Sequence, residues 1–159
     1  MGCSECVSPG KHIDIVYGES WSGPYIDLNP KAPIFPYQSE DPCIFISPEL
    51  GTFHVFAHTD QTGEKVKPFD WHHVSAHAFA YGPRGFWYLF EDPPYTTTIE
   101  WAFGETTTVD RRERPQITFF DGRPSLLVNT VKPGRGGIPG GRNALRSNWS
   151  YTHLQAIKT

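Results

Sequence analysis

Two acids stand just ahead of prolines at matching places in two related stretches of this chain. The first stretch reads Glu40-Asp41-Pro42-Cys43-Ile44-Phe45-Ile46 and resumes at Gly51-Thr52-Phe53-His54-Val55-Phe56. The second reads Glu113-Arg114-Pro115-Gln116-Ile117-Thr118-Phe119-Phe120 and resumes at Gly122-Arg123-Pro124-Ser125-Leu126-Leu127-Val128. Pro42 and Pro115 are 73 residues apart and Gly51 and Gly122 are 71 apart, so one unit recurs at nearly constant length. Repeated sheet units that each carry an acid toward a strand can bring Asp41 and Glu113 to one cavity. Two carboxylates facing one bond do acid/base work, most familiarly glycoside cleavage. Proline after the acid excludes helix and predicts an extended lead-in. The competing reading is a surface ion pair between Glu113 and one of Arg111, Arg112 and Arg114.

Five of the seven histidines, His54, His58, His72, His73 and His77, fall between residues 54 and 77. On alternating strands His54 and His58 share a face, and His77 can join them across a hairpin. Their spacing matches no established metal motif, so the sequence assigns no metal ligands. Trp71, Trp87 and Trp101 are candidates for stacking on sugar rings, with core packing as the alternative. Cys3 and Cys6 form a lone C-x-x-C pair without the second pair that a zinc site needs.

Elements able to position these groups are strands. Thr52 to His58 alternates, with Phe53, Val55 and Ala57 on one side and His54, Phe56 and His58 on the other. Val74 to Tyr81 alternates too, and its small face of Ala76, Ala78 and Ala80 suits a closely packed neighbouring sheet. Further strands are expected at His12–Tyr17, Gly85–Phe90, Thr96–Phe103, Ile117–Phe120, Ser125–Val131 and Ser150–Ile157. Turn signals separate them, among them Ser22-Gly23-Pro24, Gly82-Pro83, Asp92-Pro93-Pro94 and Asp121-Gly122. Glu91-Asp92-Pro93 lacks the following alternation and reads as a loop, as does the glycine-rich run from Lys132 to Arg142. Fifteen prolines and fifteen glycines spread along 159 residues are the punctuation of many short strands. The expected class is all-β, in one domain over residues 12–159 behind a flexible N-terminus, 1–11.

A formal charge of −3 supplies no basic field, which argues against nucleic acid as a partner. No apolar run is long enough to span a bilayer as a helix, and no signal-peptide pattern opens the chain, so localisation is left open. The sequon Asn148-Trp149-Ser150 matters only in an exported protein.

The order of these motifs resembles the five-bladed β-propellers of the glycoside hydrolase family 43 type, related to arabinanases, invertases and levansucrases. The residues that carry the resemblance are Glu40-Asp41-Pro42, Gly51-Thr52-Phe53-His54, Ser75-Ala76-His77-Ala78-Phe79-Ala80, Arg112-Glu113-Arg114-Pro115 and Asp121-Gly122-Arg123-Pro124, closed by Trp149-Ser150-Tyr151-Thr152-His153. The resemblance spans roughly residues 12 to 157. It implies a β-propeller fragment of about two to three blades, and an oligosaccharide or polysaccharide as partner. It assigns Glu113 as the group that protonates the leaving oxygen and Asp41 as the acid that tunes it and holds substrate. His77 is the substrate contact that the resemblance implies, and Arg114 and Trp87 are taken beside it as further candidate substrate contacts. No cofactor is implied beyond a central calcium ion that such propellers accommodate. Arg114 stands where the family often has glycine, and nothing ahead of Glu40 matches the family's water-activating Asp, since Asp14 and Asp27 sit in other settings. A non-catalytic carbohydrate-binding module is therefore the alternative, and unpaired blade faces would favour self-association.

Overall fold

Alternating apolar and polar residues between turn signals build strands here and nothing else. The computed structural model describes residues 12–30, 32–59, 74–133 and 150–157; the expectations for 1–11, Trp71, His72, His73, 134–142 and Asn148-Trp149 lie outside them. Among the described residues there are eleven strands and no helix. They are β1 (Val16–Gly18), β2 (Tyr25–Asp27), β3 (Ser39–Ile46), β4 (Phe53–Thr59), β5 (Ser75–Ala80), β6 (Tyr88–Leu89), β7 (Thr98–Glu100), β8 (Thr106–Thr108), β9 (Arg111–Phe120), β10 (Arg123–Lys132) and β11 (Tyr151–Ala156). The protein is all-β, as the sequence predicts, and its small antiparallel sheets do not close into a barrel.

Two meanders form the body. One runs β3-β4-β5-β6 and the other β9-β10-β11, while β1-β2 and β7-β8 are separate hairpins. The Asp121-Gly122 pair makes the tight turn between β9 and β10; both residues are left-handed, with φ of 50° and 75°. The expected Thr96–Phe103 strand is instead broken into β7 and a turn, because the Gly104 amide bonds back to the Trp101 carbonyl at 2.9 Å.

The two acid-bearing stretches fold alike. In β3, Glu40 pairs with His58 and Cys43 with Phe56, so three steps on one strand match two on its partner. In β9, Glu113 pairs with Thr130 and Gln116 with Val128, the same three-against-two slip. Each slip is a β-bulge ahead of the proline, with Asp41 at φ 54° and Arg114 at φ 55°. This corrects the expected extended lead-in: both acids lie inside strands, and the residue before each proline is left-handed. The reason is local. Proline has no N–H to give the ladder, and a bulge is where a ladder bond is dispensable.

Residues 73 or 74 apart meet along β3 and β9. Asp41 Oδ2 lies 3.8 Å from Arg114 Nε, the Cys43 thiol is hydrogen-bonded to the Ile117 backbone, Phe45 meets Phe119 edge-on at 6.1 Å, and beyond the strand ends Glu49 Oε1 sits 3.7 Å from Nε of Arg123, the first residue of β10. The two first strands therefore run side by side in the same direction.

The main core lies on the far face of the larger sheet. Val55, Ala57, Ala76, Ala78 and Ala80 pack there against Ile13, Ile34, Phe35 and Trp87. The small alanine face thus receives the chain's own early segment, where a second sheet was expected, with the Ile34 amide bonded to the Ile13 carbonyl at 2.9 Å. A second core joins Ile99, Val109 and Val131, seating the β7-β8 hairpin on β10.

Candidate functional site

The site forms where β9 crosses beside β3 and β4. In an undistorted strand, neighbouring side chains point to opposite faces. The bulge breaks that alternation, so Glu40 and Asp41 both approach His58, and these three offer donor atoms within 4.8 Å of one another. His58 Nδ1 lies 3.3 Å from Glu40 Oε1. On the other edge of the ring, Nε2 lies 3.9 Å from Glu113 Oε1. His58 is only 9 % exposed, a buried imidazole between carboxylates from two sheets.

Arginines surround these acids in an order the sequence left open. Arg111 Nη1 is 3.3 Å from Glu113 Oε1, whereas Arg114 turns to Asp41. Arg112 goes inward and serves the fold. It is 2 % exposed, and its guanidinium donates to Asn129 Oδ1 at 3.0 Å, the Thr96 carbonyl at 3.3 Å and Gln155 Oε1 at 2.7 Å. Its charge also sits 5.0 Å from the centre of the Tyr95 ring. Burial draws the Arg112 guanidinium below its ordinary value. Burial pushes the Tyr95 phenol well up, with the Arg112 charge opposing and the Asp41 and Glu113 charges adding to the rise. Tyr95 is buried and anchored through its backbone to the Ser75 hydroxyl.

No match to this chain is found among protein-family models, curated proteins or solved structures.

The geometry alone therefore ranks the residues singled out in the sequence. Asp41, Glu113 and Arg114 are brought together. His77 shares the sheet face of His58 but belongs to an aromatic cluster further along. Its Nε2 lies 2.9 Å from His54 Nδ1, and its ring stacks on Phe90 with centroids 4.1 Å apart. Burial and the neighbouring His54 charge draw His77 down to about 3, so it is neutral under ordinary conditions. The chain of polar groups ends at Thr52, whose hydroxyl is 2.8 Å from His54 Nε2. Trp87 is not brought to the acids: it lies in the core on the opposite face of the sheet. Trp101 packs against the second core and donates its indole N–H to Thr107 Oγ1 at 3.0 Å.

His58 as the bridge between sheets, flanked by Glu40, is the part that sequence reasoning missed, whereas the Arg111–Glu113 ion pair is one that the sequence offered as the competing reading. The alternation placing His58 on one face with His54 and Phe56 was visible. Nothing in the sequence said that Glu113 would arrive beside it. Tyr95 stands in a stretch of loop character and carries no signal at all.

Proposed function

We propose that the two meanders are neighbouring blades of a propeller-type, glycoside hydrolase-like protein that binds oligosaccharides and cleaves O-glycosyl bonds. One observation carries this reading: two bulged first strands, equivalent in sequence, run side by side and deliver Asp41 and Glu113 to the same histidine. Neighbouring blades of a propeller stand in that relation, with first strands facing a common axis. Glu113 is the group that protonates the departing glycosidic oxygen, and its side chain keeps 20 % exposure, reachable from the surface. Asp41 holds sugar hydroxyls beside it, with Arg114 as its partner. His58 fixes where Glu113 stands.

A second reading has its own support. Asp41 and Glu113 each face an arginine, and an ionised carboxylate accepts strong hydrogen bonds from hydroxyl groups. In that case the chain is a carbohydrate-binding module without turnover.

Hydrolysis of aryl pentosides and of arabino-, xylo- and fructo-oligosaccharides separates the two, read beside calorimetric binding of the same sugars. The hydrolase reading expects turnover that falls about a hundredfold or more in Glu113→Gln, with sugar affinity retained. Binding without turnover selects the module. Neither turnover nor binding across that panel overturns both.

A further inference from the structure

The acid pair at the β3 bulge has a feature that carbohydrate chemistry does not require. His58 Nδ1 is buried and has no hydrogen-bond partner, although a Glu40 carboxylate oxygen stands 3.3 Å away. An imidazole nitrogen so placed is not aligned to donate to that oxygen. It is placed as one ligand beside another: two bonds of about 2.1 Å meeting at a tetrahedral angle set their donor atoms about 3.4 Å apart. Asp41 completes the set, with all three donors inside 4.8 Å.

We infer that Glu40, Asp41 and His58 form a binding site for a divalent transition-metal ion of the zinc or manganese type. One imidazole nitrogen with two carboxylate oxygens is a borderline donor set. It suits these ions better than calcium, which takes six to eight oxygens. Three protein ligands leave a coordination position for water or for a hydroxyl of a bound molecule. Arg114 engages one oxygen of Asp41, and a carboxylate has a second to offer. On the far side of the ring, Glu113 approaches Nε2 at 3.9 Å. That is the outer carboxylate which commonly orients a metal-bound histidine.

The second repeat shows what the site requires. At the equivalent bulge, Arg114 replaces Asp41, and Thr130 stands across from Glu113 where His58 stands across from Glu40. That bulge has the same backbone and keeps one of the three donors, the Glu113 carboxylate, so the full ligand set is not a by-product of the repeat.

This site does not depend on the sugar reading, and its test measures metal alone. Zinc chloride and manganese chloride are titrated calorimetrically into the full chain carrying Cys3→Ser and Cys6→Ser, because a C-x-x-C pair can itself take zinc. The expected result is one equivalent bound, weakened at least tenfold in His58→Ala, Asp41→Asn and the near-isosteric Glu40→Gln. Glu113→Gln should weaken binding by about tenfold, the low end for an outer carboxylate and less than the loss of a ligand. In NMR spectra, manganese should broaden signals around residues 40, 41 and 58 first. Affinity unchanged in both His58→Ala and Glu40→Gln, or lost only in His72→Ala and His73→Ala, overturns the assignment. So does the absence of any binding by a chain whose circular dichroism is unaltered.

Discussion

Asp41 and Arg114 occupy the same place in two repeated strands, and they meet as an ion pair at 3.8 Å. Each sits at the left-handed position of its own bulge, one residue ahead of proline. A pairing across the repeat interface is thus made by two of the three described non-glycine residues with left-handed backbone. The strain of that backbone, about 1 to 3 kcal/mol for each such residue, persists only because the surrounding strands hold it.

Arg114 separates the two effects. It is 66 % exposed at the side chain, so its ion pair contributes at most about 1 kcal/mol. Glycine relieves the left-handed backbone, whereas alanine does not. Arg114→Gly should be more stable than Arg114→Ala by about 1 kcal/mol in urea unfolding. Equal midpoints for the two variants would show that the bulge stores no strain.

Arg112 should be among the least replaceable polar residues. Its buried guanidinium has three neutral acceptors and a ring beneath it, all positioned for a planar fork. Arg112→Ala should lower stability by about 3 kcal/mol or more, since Asn129, Gln155 and the Thr96 carbonyl lose their donor. Arg112→Lys should recover less than half of that, because an ammonium cannot reach three directions at once. Chemical denaturation of the three proteins measures both.

The alanine face of β5 tests the packing of the early segment. Ala78 and Ala80 are fully buried against Ile13, Ile34 and Phe35. Ala78→Leu should cost about 1 to 3 kcal/mol through overpacking. Ile34→Ala opens a cavity at the same contact and should cost about 2 to 5 kcal/mol. Thermal and urea unfolding give the values; a neutral Ala78→Leu would mean that the early segment does not close this face.

His77 sets a pH dependence of known sign. Its folded value, about 3, lies below the ordinary 6.5 of an unfolded chain. The unfolded state therefore binds the extra proton first as the pH drops. Stability from this group is fully present above about pH 6.5 and declines toward pH 3, with a slope near 1.4 kcal/mol per pH unit for one proton. His54 is drawn down by burial as well and adds to the loss in the same direction. In His77→Phe the slope between pH 6 and 4 should flatten by about one proton, read from urea midpoints across that range. An unchanged slope would place the titration elsewhere.

The all-β class was legible because it rests on local pattern: alternation along Thr52–His58 and Val74–Tyr81, and glycine, proline and asparagine-like turn chemistry between strands. The repeat was legible too, since equivalent residues recur at fixed spacing. Strand ends were less so. Arg111 to Arg114 reads as a charged lead-in, yet it is strand, because pairing with Val131 and Thr130 across the sheet overrides its composition.

What the chain decides by its own order of residues is the all-β class and the recurring unit, for alternation and turn residues act within a few positions. Tertiary packing decided the rest. Only the seating of β9 beside β3 and β4 brings Glu113 to His58 and sends Arg114 to Asp41, while Arg112 is buried over the Tyr95 ring. Those contacts join residues far apart in the chain, and each depends on which faces of two sheets exclude water together. Local sequence holds no record of that choice.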